Sequence, residues 1–250
     1  MKIDINEGSL VVVAGESLAD AVHKAALYYV SQGIPVLPLE PGRGGGQLLG
    51  KGIVMKVLVA CEFSGRVRDA FIALGHDAIS CDLLPTEVKG PHYEGRVEDV
   101  IGDGWDLMIA HPPCTYLSRA GWSWVNKPDS APGVMPLKGK PRLLAAMEAA
   151  RFFYQLINAP IPRIAVENPR PIVHVGLPKA TQSIQPWQFG HGETKETCLW
   201  LKGLPKLVPT NVVDGREARV FRMPPGPDRW KDRSRTYLGI AQAMAEQWGR

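Results

Sequence analysis

The 250-residue chain is predicted to be an α/β protein, with a mostly parallel sheet covered by helices on both faces. Three observations predict it. From Lys56 onward, short β-rich runs alternate with segments of helical period. The runs are apolar throughout rather than on alternate residues, as strands buried on both faces require. Length and a 45% hydrophobic, 22% charged composition suffice for one full core plus a modest extension.

The elements follow in order. Residues 17–33, SLADAVHKAALYYVSQG, have the apolar spacing of one amphipathic helix with Gly33 as its stop. A short extended piece and a Gly-rich linker follow, so residues 1–54 form an appendage and residues 55–250 the main domain. KVLVAC (56–61) is the first strand of that domain, ended by EFSG, and RVRDAFIALG is a helix closed by Gly75. HDAISCD (76–82) and DLMIAHPP (106–113) are the next strands. PRLLAAMEAARFFYQLIN (141–158) is a helix with Pro141 in its first turn. PRIAVENP (162–169) and ETCLWLKG (196–203) read as strands, and YLGIAQAMAEQWG (237–249) as a C-terminal helix. No internal repeat or low-complexity tract is present.

Composition narrows the function classes. No apolar stretch approaches the roughly 20 residues that span a bilayer. The opening MKIDINEG carries two acids and no basic-then-apolar pattern, so cytoplasm is the expected compartment and no membrane contact is expected. The four cysteines, Cys61, Cys81, Cys114 and Cys198, form no C-x-x-C pair, which argues against structural zinc and a disulfide framework. No metal is expected. Net charge is only +4, but residues 202–235 hold nine Lys/Arg against four Asp/Glu. Such clustering fits a polyanion partner or a solvated loop face.

The strand ends carry the chemistry. In an open α/β sheet, ligands sit beyond the carboxyl ends of the strands. Here those ends deliver Ser64/Gly65, Asp82, Cys114 and Glu167/Asn168 to one rim. The FSG turn can present backbone N–H groups to a ligand at the helix start. Asp82 stands where nucleotide-binding folds place an acid for ribose hydroxyls, or where an acid favours the next helix start. Alone, Cys114 reads as a packed cysteine and Glu167 as a capping or surface acid. Together they form a nucleophile and an acid that can protonate a ring nitrogen as the thiolate adds to an electron-poor ring carbon.

PPCTYLSRAG resembles the catalytic motif of DNA cytosine-5 methyltransferases, and VENP their Glu-Asn-Val motif. VACEFSG is similar to their first, cofactor-binding motif. FGHGETKETCLWLKG lies where the family has a Gln-x-Arg-x-Arg strand, and SRTYLGIAQAMAEQ fits the last motif. The matches keep the family's linear order over about residues 56–250. The resemblance implies a Rossmann-like S-adenosylmethionine-dependent methyltransferase fold that flips a cytosine out of DNA. It implies attack of Cys114 on C6, Glu167 at N3, methyl transfer to C5, and Asn168 positioning the loop that carries Cys114. Phe63, Ser64, Gly65, Asp82 and Pro112 would line the cofactor. DNA is the implied partner, in restriction–modification or phage-type modification.

The chain also departs from the family. EGRV stands in place of the Gly-Asp-Ile/Val motif, with Arg96 where an adenine-contacting Asp is expected, leaving Glu98 or Asp99 for that contact. Only Lys195 offers a cation in the eighth motif. The interval that holds the target-recognition domain, about 204–232, fits only an extended basic loop. Low or very short sequence specificity is therefore expected, or help from a protein partner. Residues 120–140 lack periodicity and read as a mobile catalytic loop. Ser118, Lys127, Lys138, Lys140, Lys195, Arg229, Arg233 and Arg235 are the candidate nucleic-acid contacts, with Trp122, Trp124 or Trp230 as a wedge or as packing.

Two rivals remain from the residues. One is a thymidylate-synthase-like or other C5-modifying enzyme acting on a free pyrimidine nucleotide. The other is a catalytically weak methyltransferase fold kept for DNA binding. A zinc deaminase is excluded, because Pro-Cys-x-x-Cys and an upstream His-x-Glu are absent.

Overall fold

The computed structural model describes residues 3–6 and 9–12 by their backbone, and residues 54–128, 137–172 and 175–250. The helix expected over 17–33 lies outside the described residues, as do residues 129–136 of the segment after Cys114. The chain divides into two compact units, residues 1–51 and 52–250. Strands β1 (Ile3–Asn6) and β2 (Ser9–Val12) of the first unit pair antiparallel, with Ile3 opposite Val12.

The second unit is built on a seven-stranded sheet: β3 (Lys56–Ala60), β4 (Asp77–Asp82), β5 (His92–Glu94), β6 (Leu107–Ala110), β7 (Arg163–Asn168), β8 (Gln182–Ile184) and β9 (Thr197–Lys202). Their spatial order is β5-β4-β3-β6-β7-β9-β8. The pairs from β5 through β7 are parallel, whereas β9 is antiparallel to both β7 and β8. The five parallel strands take the Rossmann-like order, with the reversal of strand order between β3 and β6. That reversal opens a crevice where the turn after β3 faces the corner after β6.

Alternation of side chains explains the two covered faces. Val57, Val59, Leu107, Ile109 and Ala165 point to one side, where helices α1 (Arg66–Ala73) and α5 (Leu238–Trp248) contribute Val67, Phe71, Ile240, Met244 and Trp248. Leu58, Ala60, Met108, Ala110, Ile164 and Val166 point to the other, against Phe153 and Leu156 of α2 (Gly139–Ile157). Burial of each large side chain stabilises by about 1.5–3 kcal/mol, so continuous apolar strands hold both layers. Helix α1 stops where Gly75, at φ +85, donates its N–H to Ile72 O at 2.9 Å.

Several boundaries differ from the sequence reading. The third apolar run leaves the ladder at Ala110, because the two prolines that follow His111 have no N–H to continue it. The strand over 197–202 runs against its neighbours, and β5 and β8 are short edge strands without an apolar signature. The stretch expected as an extended basic loop contains two short helices, α3 (Arg219–Arg222) and α4 (Arg229–Ser234). Residues Arg119–Asn126, expected to be irregular, form a 3-10 helix.

Candidate active site

The turn after β3 is built around a buried carboxylate. Cys61 has φ 58, the one non-glycine positive φ among the described residues, and Gly65 follows at φ 72. A left-handed non-glycine residue costs roughly 1–2 kcal/mol, a strain that persists only where surrounding structure enforces it. Here it turns Glu62 inward, leaving it 4% exposed. Its carboxylate accepts the Val67 N–H at 2.8 Å, the Arg68 N–H at 3.2 Å and the Ser64 hydroxyl at 3.1 Å. The Val67 and Arg68 N–H groups at the start of α1 are therefore already satisfied. The turn presents a negative charge, which disfavours a phosphate and favours a cationic ligand.

Asp82 ends β4 on the same rim, beside the turn after β3. It is half-buried and its Oδ1 accepts the Leu84 N–H at 3.0 Å. Burial raises its pKa, opposed by the Leu84 and Leu83 N–H groups and the charges of His92 and His111. The loop behind it is pinned by Arg68, which is fully buried and donates to Ser80 Oγ, Thr86 Oγ1 and Val88 O at 3.0–3.2 Å. Glu87 of that loop holds Arg235 in a two-pronged pair at 2.6 and 2.7 Å, and its N–H bonds Phe63 O at 2.8 Å.

Beyond β6, the Pro112-Pro113 corner sets Cys114 at the wall of a pocket. Its lining includes Glu62, Phe63, His111, Cys114, Glu167 and Lys195. Ser64, Pro112, Arg233 and Arg235 line it as well. Gly65 and Asp82 border the rim without lining that pocket. The Cys114 carbonyl accepts the N–H groups of Leu117 and Ser118 at 3.2 and 2.9 Å, and fully buried Leu117 anchors this turn. The Cys114 side chain is exposed, yet the surrounding pocket desolvates it enough to raise its pKa. The Glu167 carboxylate adds to the rise, while Lys195, the backbone N–H of Cys114 and Arg233 act against it.

Glu167 and Asn168 end β7, next to β6. Asn168 is fully buried and its Nδ2 donates to Pro112 O at 3.2 Å, tying the β7 end to the Pro-Pro corner. Glu167 Oε2 lies 3.2 Å from His111 Nδ1. Burial alone would push the Glu167 carboxyl up, but the His111 hydrogen bond and the charges of His111 and Lys195 outweigh it and hold the group below the usual carboxylate range.

The candidate DNA-contacting cations separate into two groups. Lys195 and Arg233 face the thiol, with Lys195 also 5.8 Å from the Tyr237 ring centre and Arg233 donating to Val220 O at 2.7 Å. Arg235 is engaged by Glu87 and Asp232, and Arg229 donates to Met223 O at 2.9 Å. Lys127 and Lys140 are exposed, Lys138 lies 5.7 Å over the Trp124 ring, and Ser118 bridges Pro171. Trp122 is half-buried and Trp230 packs against Phe63, ring centres 5.7 Å apart. Arg96 is exposed and pairs with Glu98 at 3.1 Å, while Asp99 accepts the Tyr93 hydroxyl at 3.2 Å.

One buried cation braces the segment after the thiol. Arg142 of α2 donates to Thr115 O at 2.8 Å, Gly121 O at 2.9 Å and Leu137 O at 3.3 Å. Arg142→Leu leaves these carbonyls without their donor. Thermal or denaturant unfolding is expected to show a loss of about 2–4 kcal/mol, with the region around Thr115 and Gly121 gaining hydrogen exchange first.

Sequence reasoning missed His111, Glu62 and Arg142. A signal existed for the first two, since each immediately precedes a turn motif: His before Pro-Pro-Cys and Glu before Phe-Ser-Gly. Among the described residues, no helix is long and apolar enough to cross a membrane, and no group of three or more His, Cys, Asp or Glu is placed to hold a metal.

No protein-family model matches the chain, and no curated protein matches it. Among solved structures, the chain is similar to an Escherichia coli protein named as a proposed DNA modification methyltransferase encoded within a prophage. The two share 11% identity over 68% of this chain and 55% of that one, with a TM-score of 0.40. The chain thus spans about half the length of that protein.

Proposed function

We propose that the chain transfers a methyl group from S-adenosylmethionine to C5 of cytosine in DNA. The observation that carries this reading is the meeting of Cys114 and Glu167, from the ends of adjacent strands, in one pocket with two cations beside the thiol. The ordered motif resemblance supplies the reaction, and the pocket supplies a nucleophile opposite an acid.

The residues present fit the cofactor. Its sulfonium and ammonium are cationic, which suits the buried Glu62 carboxylate that already holds the Val67 and Arg68 N–H groups at the start of α1. Asp82 would accept its ribose hydroxyls, and Phe63 and Pro112 would supply apolar walls. When bound, the cofactor supplies an electrophilic methyl group. The chain's own residues do the rest. Cys114 as thiolate adds to C6 of the extrahelical base, and Glu167 gives N3 a proton, so that electron density builds at C5. Asn168 holds the Pro-Pro corner, and with it the thiol, against the β7 end. After methyl transfer, a water molecule takes the C5 proton and the thiolate leaves C6. Lys195 and Arg233 favour the thiolate and neutralise phosphate.

The basic segment supplies charge and little reading surface. Its two helices span four and six residues, and Arg216 lies over the Trp187 ring at 3.9 Å. Phosphate contacts that position without specifying agree with low or short sequence specificity.

Incubation with DNA and methyl-labelled S-adenosylmethionine, followed by nucleoside mass spectrometry, tests the reading, with free dCMP as a parallel substrate. Label in 5-methylcytosine from DNA is the expected result. Label in dCMP alone would shift the substrate to a free nucleotide, and label in neither contradicts the proposal. On the same reading, Asp82→Asn is expected to weaken cofactor binding about tenfold in calorimetric titration, through loss of a charged acceptor.

A further inference from the structure

His111 immediately precedes the Pro-Pro-Cys corner at the end of β6, and its ring meets Glu167 at the end of the neighbouring β7. Its side chain is 9% exposed and its Nδ1 lies 3.2 Å from Glu167 Oε2. Its Nε2 is buried and has no hydrogen-bond partner among the described residues. An imidazole bonded at both nitrogens to acids would be held as a permanent cation. Among the described residues, this ring has a hydrogen-bond partner at Nδ1 only, and that partner is the Glu167 carboxyl.

Glu167 approaches the ring from β7 and Asp82 acts on it from the end of β4. Through Glu167 the ring is coupled to Lys195, which precedes β9, and to Cys114 on its own corner. A carboxylate held ionised by its partner cannot by itself protonate a ring nitrogen. The imidazole closes that gap.

We propose that His111 and Glu167 act as one proton-sharing pair, with His111 the positioning residue from which the Glu167 carboxyl is supplied with the proton it gives to the base. The inference rests on the methyl-transfer reading. The proton balance is closed. Before attack, the pair holds one proton between Nδ1 and Oε2. As the Cys114 sulfur bonds to C6, the C5–C6 electron pair shifts to C4–C5 and the C4–N3 pair to N3, which takes the shared proton from the Glu167 carboxyl. That one proton has passed from Nδ1 through Oε2 to N3, so the pair is left as a neutral imidazole beside a carboxylate. When C5 has been methylated and a water molecule has taken its proton, the C5–C6 double bond re-forms as the sulfur–carbon bond breaks, and N3 returns its proton to the pair. No outside acid or base is consumed by the pair.

The test is the pH profile of single-turnover methyl transfer with DNA already bound, for the wild type and for His111→Gln and His111→Leu. Competence requires a deprotonated thiol and one proton on the pair, so the wild-type profile is a bell. Without the imidazole, that proton resides on a lone carboxyl rather than on a group with the higher intrinsic affinity of histidine. One limb of the bell is then expected to move to lower pH by about one to two units while the other stays. The plateau is expected to fall about 10- to 100-fold. Glutamine, which can donate a hydrogen bond but cannot pass on a proton, is expected to rescue folding without rescuing the limb.

A tether role alone gives profiles scaled down with both limbs in place, and full recovery in His111→Gln; either result overturns the proposal. Circular dichroism and cofactor binding check that the leucine variant folds, and the glutamine variant carries the test if it does not. A wild type without methyl transfer would overturn the methyl-transfer reading and this inference with it. An active wild type with unmoved limbs overturns this inference alone.

Discussion

Cys114→Ala is expected to lower methyl transfer to cytosine by at least about 10⁴-fold, read as label incorporated into DNA at saturating cofactor. The size of the effect follows from what is removed. Without the sulfur there is no bond to C6, and the C5 carbon stays too electron-poor to accept a methyl group. Neither the pocket nor the acid opposite replaces that step. The Cys114 side chain is exposed, and the turn that carries it is held by backbone bonds to Leu117 and Ser118. Unfolding midpoint and cofactor affinity are therefore expected to stay close to those of the wild type. A large loss of stability would instead mark Cys114 as a packing residue.

Glu167→Gln is expected to reduce the single-turnover rate by about 10²–10³-fold, within the range for loss of a positioned acid. Glutamine fills the same space and can still accept a hydrogen bond from His111, but it has no proton to give. The prediction separates chemistry from binding. The affinity for duplex DNA is expected to change little, because phosphate contacts dominate it, while the rate collapses. Equal losses in binding and rate would argue that Glu167 holds the fold of the rim.

The fold was legible in the sequence wherever a strand is buried on both faces. VLVA, LMIA and IAV are unbroken apolar runs because both layers of helices cover them, and the structure places them in adjacent parallel strands β3, β6 and β7. The edges were not legible. HYE of β5 and QSI of β8 are three residues each, with Ile184 alone among the six buried, so no periodicity could mark them. Nor does an apolar run encode its direction, and β9 enters the sheet antiparallel because a connection outside the strand decides that. Helix α4 is preceded by Pro227-Asp228, a start signal masked by the many charges that made the stretch read as a loop.

The candidate site shows the same division. Ends of parallel strands necessarily share an edge, so the gathering of Ser64, Asp82, Cys114 and Glu167 on one rim followed from strand assignment alone. Contacts between side chains did not. His111 meets Glu167 across a separation of 56 residues, and Glu62 folds back onto the start of its own helix. Both depend on backbone angles, such as the left-handed Cys61, that no residue pattern announces.

The central claim is that the Cys114 sulfur bonds to C6 of a cytosine in DNA. Trapping with DNA containing 5-fluorocytosine reads it most directly, because fluorine at C5 cannot leave as a proton does and the sulfur–carbon bond persists. With S-adenosylmethionine present, the account predicts a denaturation-resistant protein–DNA adduct that maps to residue 114 and vanishes in Cys114→Ala. No adduct from an otherwise folded, cofactor-binding protein, or an adduct that survives in Cys114→Ala, would contradict it.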